Sequence, residues 1–238
     1  MNALGSVPSP GGPAGRPPVL AAFADERLGY GDRTVFERLS LTVRVGERIA
    51  LLGRSGAGKS TLIAALYRRL SEARARVALV PQDHALVPQL SVFHNIYMGR
   101  LDRHGAFYNA VNLVRPFRRE REAVAPLAEE LGLGPDLFRP VERLSGGQRQ
   151  RTAVGRALFR GGDVLLADEP VSAVDEAQAR RILAAMAGRF ATLVLSLHAV
   201  DLARESCDRI VGLRAGAVVI DAPAAAVTRA ELDGLYAG

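Results

Sequence analysis

The chain has 238 residues, 48% apolar and 24% charged, enough to bury a sizeable core in one folded unit. No apolar run approaches the roughly 20 residues that cross a bilayer, so work at a membrane would need a partner. The lone cysteine, Cys207, excludes an internal disulfide and a cysteine-built zinc site and fits a reducing, cytoplasmic compartment. The net charge of +6 would suit a polyanion, but the basic residues are scattered along the chain, so nucleic acid is not expected as a partner.

Residues 1–18 are rich in Pro, Gly and Ala without periodicity and read as a flexible tail ahead of the folded unit, 19–238. Strand-like composition follows over residues 19–24, 36–45 and 48–52, with turns at 29–32 and 46–47. A helix is predicted over 60–69 and a short apolar strand over 77–80. Residues from about 101 to 131 are polar and helical, with interruptions at Pro116 and Pro126. Helix 145–159, strand 164–167, helix 176–188 and strand 192–197 complete the pattern. Short buried strands alternating with helices predict an α/β core with a mainly parallel sheet. The helical stretch between Gln82 and Val141 reads as an insertion, giving a helical subdomain over about 83–160.

Residues Gly53, Arg54, Ser55, Gly56, Ala57, Gly58, Lys59 and Ser60 fit G-x-x-x-x-G-K-[ST], between an apolar strand and a helix that continues through Thr61. Glycines let successive N–H groups point at phosphate oxygens, and the helix N-terminus adds positive partial charge. Of 31 basic residues thirty are arginine, and Lys59 is the one lysine. A compact ammonium fits a slot beside the β- and γ-phosphates that a planar guanidinium would not. Ser60 offers a hydroxyl to Mg²⁺.

The apolar strand at 164–167 runs into Asp168 and Glu169. Strand ends are where ligands sit in open α/β sheets. Asp168 would hold Mg²⁺, and Glu169 would orient and deprotonate an attacking water. His198 follows the strand 192–197 and so reaches the same sheet edge, near a γ-phosphate. Leu144, Ser145, Gly146, Gly147 and Gln148 open a further helix, a second anion-binding terminus. One triphosphate does not need two such cradles from one chain; two chains arranged head to tail would use both.

With these motifs in this order, residues from about Val19 to Ile220 resemble the ATP-binding cassette (ABC) family. The resemblance implies a P-loop NTPase core, a small antiparallel β-subdomain and an inserted helical subdomain that carries the signature Leu144–Gln148. It implies that Gln82 contacts Mg²⁺ and the water while coupling to a permease, and that Asp175 bridges the dimer near the partner's P-loop. Tyr30 matches the aromatic position that stacks on adenine, although it also reads as a surface tyrosine in a Gly-rich turn. The interval from Lys59 to Gln82 is shorter than is usual in the family, which implies a reduced helix end and a truncated antiparallel β-subdomain.

The resemblance further implies an ATP hydrolase using ATP and Mg²⁺, a homodimer with ATP at its interface, and peripheral attachment to the cytoplasmic face of the inner membrane. Its partners would be permease subunits and, indirectly, a solute-binding protein. The segment from Leu86 to Arg103, the arginine-rich stretch through Arg121, residues 209–216 and the closing residues 232–236 are similar to phosphonate-import ATPases. Residues 115–121 also read as a solvated basic helix. An importer of another small solute, such as a polar amino acid, and a soluble ABC ATPase acting on nucleic acid or ribosomes are the competing readings.

Overall fold

The computed structural model describes residues 17–31 and 33–236, so nearly all of the predicted tail and one residue of the predicted 29–32 turn lie outside the described residues. The chain opens with two twelve-residue strands, β1 (Val19–Tyr30) and β2 (Arg33–Arg44), paired antiparallel. Both are longer than the composition predicts: Gly29 and Tyr30, expected in the turn, belong to β1, and Tyr30 pairs with Arg33. Then follow β3 (Arg48–Leu52), α1 (Lys59–Glu72) and β4 (Val77–Val80). Next come α2 (Val92–Tyr97), α3 (Ala106–Val114), α4 (Arg118–Glu130) and α5 (Gly146–Arg160). The chain closes with β5 (Val164–Asp168), α6 (Glu176–Ala187), β6 (Thr192–Ser196), α7 (Val200–Ser206), β7 (Arg209–Arg214), β8 (Ala217–Pro223) and α8 (Arg229–Tyr236).

The main sheet has six strands in the order β4-β5-β6-β3-β7-β8, all parallel except the edge strand β8. The predicted α/β class with a mainly parallel sheet is therefore present. Parallel strands buried on both faces are apolar throughout, and alternate residues serve opposite faces. Ala50, Leu52, Leu165, Ala167, Leu193 and Leu195 pack under α5, α6 and α7. Ile49, Leu51, Leu166 and Val194 pack on the other side against α1 and the β1–β2 ribbon.

Two departures from the sequence reading have local causes. The short interval after Lys59 does not shorten α1, which extends to Glu72; only residues 73–76 separate it from β4. The tightness of that link shows in Arg74, whose φ of 58° is left-handed. Pro126 does not interrupt α4. A proline removes one N–H and strands the carbonyl four residues back. Here both Pro126 and Glu122 lie on the exposed side of the helix, so the missing N–H falls away from the core.

Because five strands run parallel, their carboxyl ends share one edge. The turn after β3, residues Pro81 and Gln82 after β4, Asp168 and Glu169 at the end of β5, and His198 just past β6 all emerge there.

Candidate active site

The loop between β3 and α1 closes around its own lysine. Lys59 is 5% exposed, and its Nζ donates to the carbonyls of Gly53 at 2.8 Å and Arg54 at 3.1 Å. Burial lowers its pKa, opposed by the charges of Glu169 and Asp168 nearby. The turn into α1 requires glycine at position 58 twice over. Its φ is 108°, and a Cβ there would stand 2.6 Å from the Phe36 ring. The amide end of a fourteen-residue helix thus faces the same space as the ammonium, an arrangement that favours bound anions.

Ser60, Gln82 and Asp168 line one cavity of about 490 Å³ beside the loop, so the structure brings together all three residues expected to hold a cation. Asp168 is 5% exposed, yet its Oδ1 is buried with no hydrogen-bond partner. An orphaned carboxylate oxygen is costly unless something binds it. The polar side chains on this wall are the hydroxyls of Ser60 and Tyr67, the Gln82 amide and the carboxylates of Asp83 and Asp168, an oxygen-rich set that suits a hard ion such as Mg²⁺. Among the described residues no group of three His, Cys, Asp or Glu is placed to chelate a metal.

Glu169 turns away from the strand direction through a left-handed φ of 52°, an uncommon conformation for a residue with a Cβ. The turn brings its Oε1 to 2.6 Å from Nε2 of His198. A carboxylate and an imidazole in contact form a proton-handling pair at the sheet edge.

Tyr30 is 55% exposed and lines a separate cavity of about 440 Å³ with Gly29, Thr61, Ala64 and Arg68. It therefore sits beside the first turn of α1, and Ala64 lines both this cavity and the one holding Gln82.

The second helix terminus is built differently. Leu144 is buried, and Ser145 caps α5 by accepting from the Gln148 N–H at 3.2 Å while Gln148 Oε1 accepts from the Ser145 N–H at 2.9 Å. This reciprocal cap fixes the helix start. Nothing lies within 4 Å of where a Cβ on Gly146 would sit. A Cβ on Gly147, by contrast, would meet the Ala173 carbonyl at 2.7 Å, so this glycine is required for α5 to nest against the loop 172–175. Asp175 ends that loop and caps α6, accepting from the Gln178 N–H at 2.9 Å. Residues 144–148 and Asp175 line neither the cavity holding Ser60, Gln82 and Asp168 nor that holding Tyr30.

Sequence reasoning missed two residues of α5. Gln150 is 1% exposed; its Nε2 donates to the Glu169 carbonyl at 2.7 Å and to Ser172 Oγ at 3.0 Å, and its Oε1 accepts from the Ala173 N–H at 3.0 Å. It ties the helix to the loop that carries Glu169. Arg156 donates to the carbonyls of His84 and Ala85, both in left-handed conformations just after Gln82. A glutamine two places beyond the signature, within a run that must face the core, is the one local clue to Gln150. Nothing near Arg156 in sequence points to residues 84 and 85.

A family model described as ABC transporter matches residues 36–172. The phosphonates import ATP-binding protein PhnC 1 of Pseudomonas aeruginosa is 40% identical over 225 residues, covering 84% of each chain. The phosphonates import ATP-binding protein PhnC of Anaeromyxobacter dehalogenans is 40% identical over 255 residues, covering 97% of this chain; the chain spans 49% of that relative's length. The phosphite import ATP-binding protein PxtA of Stutzerimonas stutzeri is 34% identical over 233 residues, covering 87% of this chain and 83% of that one. Among solved structures, a dimeric bacterial ABC transporter cassette superposes with a TM-score of 0.72 at 21% identity, over 85% of this chain and 98% of the other; at that identity the likeness speaks for the fold.

Proposed function

The chain belongs to the ABC transporter family, and we propose that it is the ATP-binding and ATP-hydrolysing subunit of an importer for a phosphonate or a related phosphorus oxyanion. The observation that carries the ATPase reading is the meeting, at one sheet edge, of a buried ammonium, a carboxylate with an orphaned oxygen and a carboxylate–imidazole pair. The substrate class rests on relatives named for phosphonate and phosphite import that align over most of the chain.

In this reading the Lys59 ammonium exchanges its two carbonyl partners for oxygens of the β- and γ-phosphates. N–H groups of the loop from Gly53 to Thr61 surround the same phosphates, and Tyr30 stacks on the adenine. Ser60, Gln82 and Asp168 would hold Mg²⁺, which neutralises phosphate charge when bound. Glu169 accepts a proton from the attacking water while His198, in contact with it, keeps the carboxylate aimed and reaches the γ-phosphate.

Ser145, Gly146 and Gly147 of a second copy close the site from above, and Asp175 sits at the seam. ATP thus stabilises the dimer, and loss of the γ-phosphate weakens it. The helical region of about 83–160, with Gln82 at its root, passes that closure to permease subunits that receive solute from a binding protein. Among the described residues no helix is long and apolar enough to cross a membrane. In this reading the permease holds the chain at the cytoplasmic face of the inner membrane.

The test is uptake by proteoliposomes holding the subunit, its permease and the binding protein. The expected result is ATP-dependent uptake of a labelled phosphonate or phosphite. Uptake of a polar amino acid with none of either anion would overturn the substrate class. Membrane fractionation separates the soluble ABC ATPase: the importer subunit depends on its permease for membrane attachment, and a soluble ATPase does not.

A further inference from the structure

Helix α8 is short, yet it is fastened at both ends. Thr228 and Glu231 cap its start reciprocally: Thr228 Oγ1 accepts from the Glu231 N–H at 3.3 Å, and Glu231 Oε2 accepts from the Thr228 N–H at 2.7 Å. Leu232 and Leu235 are buried in the same core as Leu202 and Ala203 of α7. Near the end of α8 the Gly234 carbonyl accepts from Arg214, the last residue of β7, at 3.1 Å.

The phosphate loop begins against the same strand. A Cβ on Gly53 would stand 2.3 Å from the Leu213 carbonyl oxygen, so only a glycine can lie this close to β7. Leu213 and Arg214, adjacent on β7, thus bring the start of the loop and the last turn of α8 to neighbouring positions.

Tyr236 ends α8 there. The residue packs against the apolar core, and its hydroxyl oxygen is buried with no hydrogen-bond partner. Burial raises the pKa of the phenol, opposed by the Gly53 N–H beside it. A buried hydroxyl that bonds to nothing is costly, and none of the chemistry assigned above uses this one. Gly53 itself is held at its carbonyl by Lys59, whose Nζ donates to it at 2.8 Å.

We infer that Tyr236 is a positioning residue for the phosphate loop, its hydroxyl accepting from the Gly53 N–H once phosphate has drawn Lys59 away from the Gly53 carbonyl. The inference rests on the proposed ATP binding and adds to it a residue from outside the loop. While Lys59 holds Gly53, the hydroxyl has no partner; with Lys59 on phosphate oxygens, Gly53 is free to settle toward Tyr236 and the hydroxyl gains one. The cost of the orphaned oxygen therefore falls on the loop closed over its own lysine and is relieved in the loop closed over phosphate. A contact made in one state only shifts the balance toward that state, here toward bound nucleotide.

The experiment compares the full unaltered chain with Tyr236→Phe, which keeps the ring and removes the hydroxyl. Two quantities are read: the melting temperature without nucleotide, and the affinity for ATP with Mg²⁺ by titration. The melting temperature is expected to stay the same or rise slightly, because the lost hydroxyl bonds to nothing while Lys59 holds Gly53. The ATP affinity is expected to fall by about three- to tenfold. In turnover assays KM for ATP rises by the same factor, and kcat stays within about twofold. A tyrosine that only supports the fold would show the reverse, a lower melting temperature with unaltered affinity. Either a lowered melting temperature or an unchanged ATP affinity in Tyr236→Phe overturns the inference and leaves the proposed function standing. An unaltered chain that does not bind ATP overturns both.

Discussion

At the start of α1 the lysine is buried and already bonded within its own loop; at the start of α5 the serine and the first glycine face outward, with open space above them. Both are helix N-termini suited to phosphate. The first is furnished by its own chain with an ammonium, an orphaned carboxylate oxygen and a proton-handling pair on neighbouring strands. The second has a reciprocal cap and lines no cavity with those groups. A terminus so well fixed and so uncovered is complete only against another surface, which in the proposed function is a second copy's nucleotide.

The sharpest way to break this contrast is to disable chemistry at the first terminus while leaving its binding intact. Glu169→Gln is expected to lower ATP turnover by about 10²- to 10⁴-fold, with ATP still bound and a long-lived dimer on size exclusion. Near-normal turnover would remove Glu169 from the role of base. Next in size, Lys59→Met takes away the buried charge, and ATP affinity should fall by about a hundredfold to a thousandfold in a nucleotide-binding titration. Retained affinity would mean that the loop amides suffice.

At the second terminus the expected signature is the opposite. Gly146→Leu fills the open space above α5, so ATP-dependent dimerisation should weaken by about tenfold or more while the single chain binds ATP as before. A loss of ATP affinity in the monomer would show that the two termini are not independent. The smallest effect is expected between them. Gln150→Ala leaves the N–H of Ala173 without its partner, while Ser172 still donates to the Glu169 carbonyl, and should destabilise the fold by about 1–3 kcal/mol, read as a lower melting temperature. An unchanged melting temperature would mean that water replaces the glutamine.

What could be read from the residues alone follows the same division. The lysine loop, the acidic strand end and the capped signature are contiguous patterns, each with a local chemical reason, and the structure gathers Ser60, Gln82 and Asp168 as that reading requires. The alternation of apolar strands and helices was enough for the parallel sheet. No element was legible beyond residue 197, where α7, β7, β8 and α8 follow, because their strands and short helices carry mixed patterns and gain their place by packing. Gln150 and Arg156 escaped notice because their partners lie 19 to 72 positions away along the chain.

From Ser145 to Arg156 the backbone of α5 is an unbroken rod about 16 Å long. Its tip meets the outside, its middle hooks the loop bearing Glu169, and its far third hooks the loop that follows Gln82. A rod with two hooks has no slack between them. In the proposed function, a tilt imposed at the tip would act on both the loop bearing Glu169 and the stretch that leads toward the permease, through one element rather than a relay of successive rearrangements.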